Sequence, residues 1–125
     1  MIRATTAAEE RLIALVAAAA RGPKRDGLFA LWLVVRAAEG VLPPRPVGGK
    51  NHRRRLQAVE ARLASLALPA PLKRAVVAAR DHLEPGTPTA AAQVLSQLVA
   101  PAREVLGAEA GEAVAVAVRA ARLHL

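Results

Sequence analysis

The densest chemistry in the sequence is cationic. Arg45, Lys50, Arg53, Arg54 and Arg55 fall in one stretch that contains no acidic residue. Guanidinium groups bind phosphate and carboxylate through paired N–H donors, and Asn51 adds an amide to the set. Asn51 also reads as the N-cap of a helix whose first turn then holds Arg53, Arg54 and Arg55, beside the positive end of the helix dipole. Cations there each cost about a few tenths of a kcal/mol at low salt. Helix energetics do not explain that placement, whereas an external anion does, because exposed backbone N–H groups behind Gly48 and Gly49 favour negative charge at the same point. Arg45, Lys50, Asn51, Arg53, Arg54 and Arg55 are therefore the candidate anion-binding set, with nucleic-acid phosphate as the anion class. The G-x-x-x-x-G-K-[ST] spacing and preceding strand of a nucleotide-binding loop are missing, so no nucleotide pocket is implied. The competing reading is a solvated helix start whose arginines pair with Glu60, Asp81 or Glu84.

Charge along the chain sharpens this focus. The net charge is +8, and residues 23–62 hold nine basic and three acidic side chains, whereas residues 85–125 hold three of each. No aromatic residue lies near the cluster in sequence to stack on bases, and no helix-turn-helix with base-reading side chains is evident. Lys73, Arg74, Arg80 and Asp81 could touch phosphates and specify little. Nucleic acid would thus be bound by backbone or shape. His52 shares a helical face with Leu56, Val59 and Leu63 and reads as a packed or rim residue.

Groups capable of catalysis are few: His52, His82, His124, Asp26, Asp81, Ser65 and Ser96, with eight glutamates. The glutamates lack the Glu-x-x-His pairs of di-iron bundles, and no histidines have metal-ligand spacing. Asp81 and His82 project about 100° apart on a helix. The R-x4-H spacing of Arg119 and His124 is similar to that of HEPN ribonucleases, and Arg45 and His52 fit that family's looser range. With fifteen arginines and three histidines, about one such match arises by chance. Ala120 also stands where the family favours a polar residue. The chain is not read as a member of that family, and an HEPN-like ribonuclease remains the most distant functional alternative. No catalytic residue, metal or cofactor is implied.

The elements that position these residues are helices. The 125 residues include no cysteine or tyrosine, and Phe29 and Trp32 are the only aromatics, which leaves little material for strands and none for disulfides or thiolate chemistry. The length suits a single domain with its own core. Thr6 and Glu9 form a capping-box pattern at the start of a first helix to about Arg21. Asp26 reads as the cap of a second helix to Glu39 that has almost no polar face and so forms the centre of the core. Residues 41–50, with their prolines and glycines, read as a flexible loop. Stripes at Leu56, Val59, Leu63, Leu66 and at Leu72, Val76, Ala79, Leu83 predict an antiparallel helical hairpin. Thr87-Pro88 opens a fifth helix that Pro101 is expected to kink or restart. The AVAVAV run of residues 113–118 has a period of two but is assigned to a final helix. The expectation is an all-α, compact bundle of five or six helices joined by Pro/Gly-rich turns, as one domain over residues 1–125.

The longest apolar runs, Leu12 to Ala20 and Leu28 to Val35, are shorter than the roughly 20 residues of a membrane span. Glu9 and Glu10 offset Arg3 and Arg11 before the first run, which argues against a signal peptide. Absence of cysteine fits a reducing compartment, so a cytoplasmic location is expected. A mean hydropathy of +0.26 in so basic a chain points first to a non-enzymatic helical interaction protein that binds a protein partner or a second copy of itself. Sequence-nonspecific DNA or RNA backbone binding through residues 45–55 is the alternative.

Overall fold

The computed structural model describes residues 6–43 and 46–123. It is an all-α bundle of α1 (Ala7–Ala18), α2 (Pro23–Glu39), α3 (Gly49–Ser65), α4 (Ala70–His82), α5 (Pro88–Leu106) and α6 (Ala108–Arg122), with no strand among the described residues. No helix of the described residues is long and apolar enough to cross a membrane.

Helix α2 is the axis of the bundle, and it packs against α1, α3, α4, α5 and α6. Leu28, Leu31, Val34, Val35, Ala37 and Ala38 are buried along it. Gly27 permits the close approach: a Cβ there would sit 2.7 and 2.8 Å from side-chain carbons of Leu106 and Leu72. The helix starts earlier than its sequence signals indicate. Gly22 is the N-cap and Pro23 occupies the first helical position, where a missing N–H and a fixed φ cost nothing. Asp26 consequently lies in the first turn and caps nothing. The preceding helix is shorter than expected and stops at Ala18, because Ala19 is extended and Gly22 takes a φ of 147°.

Helices α3 and α4 form the expected antiparallel hairpin, with Leu56, Val59, Leu72, Val76 and Ala79 turned inward. Here too the cap is misplaced by the sequence reading. The N-cap of α3 is Gly48 rather than Asn51, so Asn51 lies within the first turn. Helix α5 begins at the Thr87 cap, whose hydroxyl accepts the Ala90 N–H at 3.2 Å, and runs unbroken through Pro101. Gln97, whose carbonyl loses its hydrogen-bond donor to that proline, is an exposed residue, and the helix continues through the loss. The break comes instead at Gly107, with a φ of 105°. The AVAVAV run is helical, and Ala113, Val114, Ala117, Val118 and Ala121 present one buried face.

The C-terminal end of α2 is tied to the start of α1. The Thr6 hydroxyl accepts the Glu9 N–H at 3.1 Å and donates to Glu39 Oε1 at 2.7 Å. Burial raises Glu39 from 4.5 to about 7; the Thr6 hydrogen bond opposes this and the nearby Glu9 charge adds to it. The native protein therefore holds a proton that the unfolded chain has already released. This group's contribution to stability is present below pH 4.5, declines as pH rises through about 7 and is flat above that. Glu39→Gln keeps the acceptor for Thr6 and removes the charge, so it should stabilise the protein at pH 8 by about 1–3 kcal/mol and by little at pH 4. Urea denaturation at both pH values checks this; equal stability differences at the two would contradict it.

Candidate functional site

The structure divides the basic cluster by role. Lys50, Asn51, Arg53 and Arg54 are exposed on the opening turns of α3, and Arg45 lies outside the described residues. Arg55 is half-buried, and its Nη1 donates to the Arg36 carbonyl at 3.0 Å. Its guanidinium fills the space beside Gly40 at the C-terminal end of α2, where a cation meets the negative end of that helix dipole. Arg55 is thus a clamp between α3 and α2 as well as part of the basic surface.

Because α3 starts at Gly49, Arg53, Arg54 and Arg55 stand in its second turn. The dipole penalty fades beyond the first turn, so their position alone does not demand an anion. What points to one is their assembly with a residue from another helix. A cavity of about 240 Å³ between α2 and α3 is lined by Arg36, Asn51, Arg54, Arg55 and Ala58. Arg36 is the member that sequence proximity misses.

Arg36 is also the end of a regular strip on α2. Arg25, Phe29, Trp32 and Arg36 follow i, i+4, i+7, i+11, so they share one face, and all are half-buried where the rest of the helix is largely sealed. Phe29 and Trp32 pack ring to ring, with centroids 5.6 Å apart. The Arg36 guanidinium lies 5.8 Å from the Trp32 ring centroid, and that of Arg62, from α3, lies 5.0 Å from Phe29. Such stacking orients a guanidinium and leaves its edge N–H groups facing outward. At the far end, a shallower cleft of about 580 Å³ is lined by Arg21, Arg25, Asp26, Phe29 and Arg62 with Val16, Gly22 and Leu66.

The acids expected to neutralise the cluster are engaged elsewhere. Arg80 gathers Glu60 at 2.8 Å, Glu84 at 2.7 Å and Asp81 at 3.8 Å. Among the described residues, Arg36, Arg53, Arg54 and Arg62 have no carboxylate within the 4.0 Å of an ion pair. Asp26 is the one acid lining either cleft.

His52 is packed inside the hairpin. Its Nε2–H donates to the Leu83 carbonyl at 2.7 Å, which assigns the proton to that nitrogen. Nδ1 is buried without a partner. Gly86, with a φ of 68°, lies against the ring, so a side chain there would be strained and crowded. The histidine fastens the start of α3 to the end of α4. The ribonuclease-like spacing assembles nothing among the described residues: Arg119 pairs with Glu112 at 2.8 Å, while His124, like Arg45, lies outside them. A further cleft of about 650 Å³ lies between the end of α1, the start of α2 and the α5–α6 turn, with Leu15, Leu28 and Leu106 among its lining and Arg21, Lys24 and Glu109 as its charges. None of these is paired for acid–base or nucleophilic chemistry.

No family model, curated protein or solved structure matches the chain.

The two roles on α3 separate under substitution. His52→Ala removes a buried ring and its hydrogen bond and should cost about 2–4 kcal/mol. Arg54→Ala, on the exposed side, should change stability by less than about 0.5 kcal/mol. Chemical denaturation measures both, and equal losses would show that the helix start is not organised in this way.

Proposed function

We propose that the protein is a non-enzymatic binder of nucleic-acid backbone that works through the face shared by α2 and α3. The observation that carries this reading is a group of arginines from two helices, of which Arg36 and Arg62 lie over aromatic rings and Arg36, Arg53, Arg54 and Arg62 have, among the described residues, no carboxylate at ion-pair distance. Arg25, Arg36, Arg54 and Arg62 supply the principal phosphate contacts, and Arg55, Asn51, Lys50 and Arg53 extend them. Nothing on this face reads base edges, so affinity comes from charge and from the fixed spacing of the cations. The reading places the protein in the cytoplasm, where nucleic acid is accessible and a chain without cysteine needs no oxidising environment.

A protein partner or a second copy is the second reading. It is favoured by an apolar groove of about 440 Å³ along α4 around Ala70, Val77 and Ala78. Among the described residues the large exposed hydrophobics are Ile13 on α1, Val77 on α4 and Leu123 at the end of α6, of which Val77 lines this groove. Light scattering over a range of concentrations tests it, and a strict monomer would remove self-association.

Backbone binding predicts a steep dependence on salt. With about four to five phosphate contacts, the logarithm of affinity should fall against the logarithm of salt concentration with a slope of about −4. Arg36→Ala, Arg54→Ala and Arg62→Ala should each weaken binding to unrelated sequences alike and reduce the slope by about 1. Fluorescence anisotropy with labelled oligonucleotides measures this. Absence of binding at low salt, or affinity indifferent to all three variants, would overturn the proposal.

A further inference from the structure

The two arginine clefts sit at opposite ends of one rigid strip. Arg25 and Arg36 are eleven residues apart on an unbroken helix, which places their Cα atoms about 16 Å apart along its axis. Arg62 joins the first end and Arg54 and Arg55 the second, because α3 runs antiparallel beside α2. A single phosphate reaches only one end, so a ligand that uses both must carry phosphates at a comparable separation.

The rings between the clefts do not form a platform for bases. Phe29 and Trp32 are half-buried, they pack against one another, and guanidiniums lie over them at 5.0 and 5.8 Å. A single strand would find no stacking here to offset the entropy lost when it is held straight across two fixed sites. A duplex arrives with its phosphates already spaced and its bases already stacked.

Resting on the backbone-binding reading above, we infer that this face takes double-stranded rather than single-stranded nucleic acid and bridges its phosphates between the two clefts. DNA and RNA duplexes share the required chemistry, and separate measurements on each distinguish them. The test is anisotropy at low salt with DNA and RNA duplexes of about 16 base pairs and with their component strands. One duplex or both should bind at least about 10-fold more tightly than the single strands. Charge density by itself favours a duplex, so the deciding readout is positional. Arg25→Ala with Arg62→Ala, or Arg36→Ala with Arg54→Ala, should each cut the duplex preference by at least about 5-fold, towards the part that charge density alone supplies. Lys73→Ala with Arg74→Ala, which removes the same charge from α4, should leave it. Single strands that bind as tightly as duplexes, or a preference equally sensitive to the α4 pair, would overturn the inference while backbone binding stands. Failure of every ligand to bind at low salt would remove both.

Discussion

Burial of α2 is the constraint on which the rest of the structure depends. A helix packed by five others can carry polar and bulky amphipathic side chains only along the narrow strip its neighbours leave open. On α2 that strip is Arg25, Phe29, Trp32 and Arg36, and its remaining border is supplied by α3. The candidate site follows from this geometry: the half-buried rings of Phe29 and Trp32 border the core, and the guanidiniums of Arg62 and Arg36 lie over them.

Fixing α3 against that strip requires more than its apolar stripe, since only Leu56, Val59 and His52 are buried on it. His52 secures it to the end of α4, and Arg55 secures it to the end of α2. Arg80 has a less direct part. By collecting Glu60, Asp81 and Glu84 on the α3–α4 side, it keeps carboxylates away from the arginines above α2. Asp26 is the acid that stays on this face, in the cleft with Arg25 and Arg62.

Much of this was legible in the sequence. Apolar stripes identify α1, α3, α4 and α5, the unbroken apolar run of residues 28–35 identifies the central helix, and α6 is helical despite the period-two pattern of its AVAVAV run. Helix starts were less legible. Asp26 and Asn51 look like caps, yet glycine before Pro23 and glycine before Gly49 open those helices earlier, because a glycine cap leaves no side-chain signature. Pro101 signals a kink or a restart, yet the helix continues through it without restarting. At the site, Lys50, Asn51, Arg53, Arg54 and Arg55 were visible as a run, and Arg36 was not, since its place depends on how α2 and α3 pair. A signal for it did exist in the helical spacing of Arg25, Phe29, Trp32 and Arg36, with Arg36 the one charged residue between Gly27 and Ala38. Of the acids that Arg80 engages, Glu84 is legible as its i,i+4 partner, whereas the approach of Glu60 from α3 leaves no local trace in the sequence.

The central claim, that ligand phosphates meet the guanidinium lying on Trp32, can be read from the protein's own fluorescence, because Trp32 is its only tryptophan. Titration with nucleic acid should change Trp32 emission saturably, with the same midpoint as anisotropy of the labelled ligand, and Arg36→Ala should abolish the emission change. Binding seen by anisotropy with Trp32 emission unaltered would place the contact on another surface and contradict this account.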